Sequence, residues 1–161
     1  MAELVLVRSM AVHILTLAFA VIVAGCQYDP FTAVYTTKQP KAEDLVGWYV
    51  PTEETKRFIT KEGHYPSVES SIALSADGTL TITNIPDWWL TPFGRPEGKF
   101  DSRRGKWTVQ KHQDWWVIGV NLDPGFGTDL FLIGEKPPYK IHLIVGDPDE
   151  GRGMDFIRTK T

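Results

Sequence analysis

Ser70 to Ile82 read SSIALSADGTLTI. Ile72 and Leu74 alternate with small or polar residues, and Leu80 and Ile82 repeat the alternation beyond Asp77-Gly78. A period of two is the mark of a strand with one buried face. Asp and Gly tolerate positive φ, so the pair between the two runs predicts a tight turn and hence a β-hairpin. A lone hairpin is barely stable in water, so this one predicts a larger sheet around it.

The rest of the chain supplies that sheet. Asp44 to Val50 is rich in β-branched and aromatic residues and predicts the first strand, closed by Pro51. Thr52 as N-cap, Glu53 and Glu54 in a first turn, Lys61 in a last turn and Gly63 beyond it predict one short helix over about 53–62. Pro86 to Arg104 is rich in Pro, Gly and aromatics and reads as a long loop. Lys106–Lys111 alternates, Gln113-Asp114 turns, and Trp116, Ile118, Val120 and Leu122 share a face of the next strand. Pro124-Gly125 turns again, and strands are expected at Asp129–Gly134, Tyr139–Val145 and Gly153–Lys160. Seven or eight strands joined mostly by short turns favour an antiparallel meander. Closing such a sheet removes its exposed edges. The expected fold is therefore all-β with one short helix, an up-and-down antiparallel barrel over residues 43–161, with a two-sheet sandwich as the alternative.

The chain has 161 residues and a formal charge of −3, which gives no basic face for nucleic acid and no polybasic patch for a membrane surface. There is one cysteine, Cys26, so an intrachain disulfide and a cysteine-based metal site are excluded. It follows an apolar run, Ala11 to Val23, that falls short of the roughly 20 residues a helix needs to span a bilayer but suits the core of a signal peptide. The run ends Val23-Ala24-Gly25-Cys26, which resembles the lipobox of bacterial lipoproteins. One departure is the poor positive charge ahead of it, where Glu3 offsets Arg8. The resemblance implies a signal peptide over 1–25, cleavage between Gly25 and Cys26 by the lipoprotein-processing machinery, and a diacylglyceryl anchor with palmitate-type chains on the Cys26 thiol. The implied location is the cell envelope. Gln27 in place of Asp implies the outer membrane if the source has two membranes. Residues 26–42, with two prolines between Gln27 and Lys41 and no hydrophobic period, are expected to form the lipidated cysteine and a flexible tether; a strand around Phe31–Tyr35 is the alternative.

Gly47-Trp48-Tyr49 on the first strand and Arg158 on the last resemble the lipocalin and calycin barrels. There a first-strand Trp packs beneath a last-strand basic residue and closes one end. The resemblance implies cation–π packing of Trp48 on Arg158, although Gly47 and Trp48 are adjacent here rather than separated by one residue.

Residues that could carry chemistry are sparse. His64, His112 and His142 show no metal-binding spacing, and His142, between Ile141 and Leu143, is expected to face solvent. Asp147, Asp149 and Glu150 read as a turn more readily than as a Ca²⁺ site. No Gly-x-Ser-x-Gly elbow or phosphate-cradling loop is present. The chain is accordingly read as non-enzymatic, without cofactor or metal. Its aromatics are the candidate ligand residues. Trp88 and Trp89 with Tyr65 are expected near the open end, where they bind a small apolar ligand or plug the barrel. The expected role is a lipid-anchored envelope protein that binds such a ligand or an envelope partner. The alternative is a structural or inhibitory protein with a filled barrel.

Overall fold

The computed structural model describes residues 30–90 and 97–159; the leader, Gly25, Cys26 and Gln27 lie outside them. Eight strands close into one antiparallel barrel in chain order: β1 (Gly47–Pro51), β2 (Ser71–Leu74), β3 (Thr79–Pro86), β4 (Phe100–His112), β5 (Trp115–Leu122), β6 (Phe126–Ile133), β7 (Lys140–Ile144) and β8 (Gly153–Arg158). Strand β8 returns to β1 through Tyr49 opposite Arg158, Val50 opposite Ile157 and Pro51 opposite Phe156. This is a lipocalin-like, up-and-down architecture, not a sandwich. The end where β1 finishes and β2 starts is called upper below; the β2–β3 turn marks the lower end.

The opening hairpin forms as its residues dictate. Ile72 lies opposite Ile82 and Leu74 opposite Leu80, all buried in the barrel. Gly78 takes φ +76°, and both Asp77 carboxylate oxygens hold Thr79, one its amide and the other its hydroxyl, at 2.9 Å. The helix also forms. Thr52 Oγ1 accepts from the Thr55 amide and caps α2 (Glu53–Arg57), which runs on as a π-helical turn, Phe58–Glu62. Thr55 Oγ1 docks it on β8, donating to the Asp155 carbonyl and accepting from the Asp155 amide. A shorter turn, α1 (Ala42–Leu45), precedes β1 at the lower end, so the first strand starts at Gly47 rather than Asp44.

Strand β4 is longer than Lys106–Lys111 and claims Phe100–Arg104 from the expected loop, of which 91–96 lie outside the described residues. Its first half carries an Asp101–Arg103 ion pair, 2.6 Å, with the Arg103 guanidinium over the Phe126 ring. Charge thus stands where a run of apolar residues would have betrayed a strand.

The tether reading does not hold for residues 30–36. Pro30 abuts Gly151 at the upper end, and Phe31 lies on the His142 ring at 4.3 Å. Tyr35 stacks on Phe131 at 4.8 Å and bridges to Ile133. Thr36, fully buried, inserts between two strands: its amide donates to the Leu132 carbonyl, and the Trp116 amide donates to its carbonyl. The ladder between β5 and β6 stops at Val117 opposite Phe131, and the strap fills the gap beyond it. Aromatic contacts and ladder bonds outweigh the irregular sequence. The strand-like alternative near Tyr35 is the closer of the two expectations.

Inside, Tyr49, Ile72, Leu80, Ile118, Leu130, Leu132, Ile141, Leu143, Met154 and Phe156 form one continuous core. Leu45 and Tyr139 extend it at the lower end; Ile59, Ile85 and Trp89 extend it at the upper. Each such Leu, Ile or Phe contributes roughly 1.5 to 3 kcal/mol by leaving water. The space beneath Trp89, between Ile82, Ile85 and Leu122, is too small for a water molecule. Clefts of about 620 to 670 Å³ open on the outer wall or at an end, not into the core.

Candidate functional site

The structure brings Tyr65, Trp88 and Trp89 together at the upper end. Trp88 lies between the rings of Phe58, at 4.8 Å, and Tyr65, at 6.2 Å, both nearly parallel to it. Arg152 places its guanidinium over the Trp88 ring. Tyr65 donates to Asp87 Oδ1 at 2.6 Å, and the Asp87 carboxylate also accepts from the Glu97 and Lys99 amides, which ties down the loop. Burial, with the Asp87 carboxylate adding to it, pushes the Tyr65 phenol well above the usual range. Trp89 is 7% exposed and belongs to the core. A Cβ on Gly63 would stand 2.7 Å from Trp88, so the stack leaves no free space beside it. Among the described residues, the three aromatics pack together at this end.

Trp48 does not meet Arg158. It is 50% exposed on the outer face, while Tyr49 points inward and lies opposite Arg158. A strand flips every side chain when its phase shifts by one residue. In β1, Tyr49 and Pro51 take the buried face in place of Trp48 and Val50. The phase was readable only weakly, since both faces of VGWYVP are apolar. Arg158 still seals the lower end: Nη1 donates to the Asp44 carbonyl, and its stem lies over Gly47, where a Cβ would come 2.6 Å from Nε. The Tyr49 hydroxyl donates to the Leu45 carbonyl at 2.9 Å. Burial pushes the Tyr49 phenol up to about 12, against the opposing pull of Arg158.

Sequence reasoning missed the polar cluster of the outer wall. His142 does face outward, yet it is 2% exposed because the strap covers it. Its Nδ1 pairs with Asp155 Oδ1 at 2.7 Å, and its Nε2 is buried with no hydrogen-bond partner among the described residues. A second pair, His112 Nδ1 with Asp129 Oδ2 at 2.8 Å, stands farther round the wall beside Trp115. Spacing along one strand hides both pairs, because each joins residues on different strands. Between α2 and β8 a cleft of about 640 Å³ runs past His142, with Arg57, Lys61 and Arg152 among its lining. In the acidic turn, Asp147 accepts from the Asp149 amide and Glu150 pairs with Arg152, so these carboxylates serve the turn itself.

No protein family, curated protein or solved structure matches this chain. The chemistry of the site therefore rests on its own geometry. Asp155 holds one nitrogen of His142, the arrangement that orients an imidazole. The other nitrogen is enclosed by Gly153, whose added Cβ would meet it at 2.5 Å, and by the Phe31 ring. No helix among the described residues is long and apolar enough to cross a membrane.

Proposed function

We propose that this chain is a lipid-anchored envelope protein that works through the outside of a filled barrel, by contact with an envelope partner rather than by carrying an apolar ligand. The observation that carries the reading is the interior. A carrier of lipid-like molecules needs a cavity of several hundred Å³, and here inward side chains from all eight strands meet in one core with Trp89 over its upper end. The anchor rests on Val23-Ala24-Gly25-Cys26 after a short apolar run, and on Cys26 being the only thiol. Among the described residues, the exposed Val34, Trp48, Val68 and Ile157 are the large apolar groups such a surface would offer a partner.

The test has two arms. Expressed in a bacterial host, the chain should take up labelled fatty acid, and Cys26→Ser should abolish the label; undiminished label would remove the anchor. Titration with palmitate should leave tryptophan emission unchanged. Saturable quenching at micromolar palmitate would return the barrel to the ligand-carrier reading.

A further inference from the structure

We propose that the upper corner of the barrel, formed by Pro30, the Gly146–Arg152 turn and α2, rests against the phospholipid headgroups of the anchoring membrane. The inference rests on the lipid anchor proposed above and adds which face of the domain the membrane meets.

A free tether from Cys26 to Lys41 would let the barrel stand roughly 50 Å from the bilayer, at about 3.5 Å per residue. The structure removes most of that length. Thr36 is locked between Trp116 and Leu132, Tyr35 is stacked on Phe131, and Phe31 covers His142. Pro30 is thereby fixed against Gly151, in the turn between β7 and β8. Four residue steps separate Pro30 from Cys26, and even fully extended they reach only about 14 Å. An acylated Cys26 sits at headgroup level, so Pro30 lies within that distance of it. The surface around Pro30 must then face the bilayer.

That surface carries Arg152 beside the Trp88 ring, with Arg57 and Lys61 lining the adjoining cleft. Arg57 and Lys61 offer cations to lipid phosphates, while Arg152 is already paired with Glu150. Glu53, Glu54, Glu62, Asp147, Asp149 and Glu150 share the corner, so the covalent anchor, not net charge, holds the domain down. The Gln113-Asp114 and Glu135–Pro138 turns lie at the lower end and point away from the membrane.

The experiment uses the full lipidated chain in vesicles of phosphatidylcholine and phosphatidylglycerol. Because diacylglyceryl attachment consumes the only native thiol, a cysteine introduced elsewhere is the one site for a fluorophore. Lys61→Cys and Asp149→Cys report the upper corner; Asp114→Cys and Lys136→Cys report the lower end. With a quencher on the lipid headgroup, the upper pair should be quenched at least several-fold more than the lower pair. A flexible insertion of some 15 residues between Asp29 and Pro30 should erase that difference. Equal quenching at all four sites of an acylated protein would overturn the orientation alone. Absence of acyl mass on Cys26 would overturn the anchor, and the orientation with it.

Discussion

His142 occupies the place where a side chain on Gly153 would be. A Cβ there would stand 2.2 Å from its Cε1, 2.5 Å from its Nε2 and 3.1 Å from the Leu143 carbonyl oxygen. The ring has no retreat, since Asp155 holds Nδ1 and Phe31 lies on its face. Gly153→Ala should therefore destabilise the fold by about 1 to 3 kcal/mol, the usual cost of overpacking, read from the urea midpoint. Adding His142→Ala should recover part of the loss, and strictly additive effects would argue against the contact. Nothing in Ile141-His142-Leu143 announces this role. Alternation placed the ring on the outer face, where it is, but exposure depends on what else lies there. Trp48 fails in the opposite way: its size suggests burial, and one residue of strand phase decides against it.

At the scale of elements, the turns were the legible part. Asp77-Gly78, Gln113-Asp114, Pro124-Gly125 and the Gly146–Asp149 segment all sit between strands, because turn residues act locally. The strap was the least legible, because its structure comes from distant partners: Thr36 bonds to Leu132 and Trp116, and its hydroxyl to the Gly134 carbonyl. Its worth can be measured. Tyr35→Ala removes a buried ring stacked on Phe131, and a loss of about 3 to 5 kcal/mol is expected for a buried aromatic truncated to Ala. Hydrogen exchange should show faster exchange confined first to the Trp116, Thr36 and Gly134 amides, which the strap pairing protects. Unchanged protection there would show that the strap holds without Tyr35.

For the molecule as a whole, closure of the barrel followed from counting short-linked strands, whereas the single apolar core inside it did not. Filling depends on how side chains from eight strands interdigitate, and no single segment encodes that. Burial in that core has a consequence in alkali. A tyrosine in the unfolded chain ionises near pH 10, but buried Tyr49 holds its proton to about 12. The folded state thus binds the proton more tightly, so its contribution is intact below pH 10 and is lost between pH 10 and about 12. A difference of about two in pKa corresponds to roughly 2 to 3 kcal/mol. Tyr65 adds in the same direction. Urea midpoints should fall steadily from pH 9.5 upward. Tyr49→Phe should fall less steeply, from a neutral-pH value lowered by about 1 to 2 kcal/mol for the Leu45 carbonyl left unpaired. Parallel slopes in the two proteins would argue that Tyr49 does not keep its proton.

Strand β1 is joined to β2 by three residue pairs and to β8 by three more. A chain synthesised from its N-terminus has Gly47–Pro51 ready while Gly153–Arg158 is still to be made. For that interval β1 has one neighbour and an open edge, and closure waits for partners more than a hundred residues away in sequence, the slow, non-local kind of contact. A chain stopped short of Gly153 would leave two raw edges at once, on β1 and on β7, each a template for another chain to join.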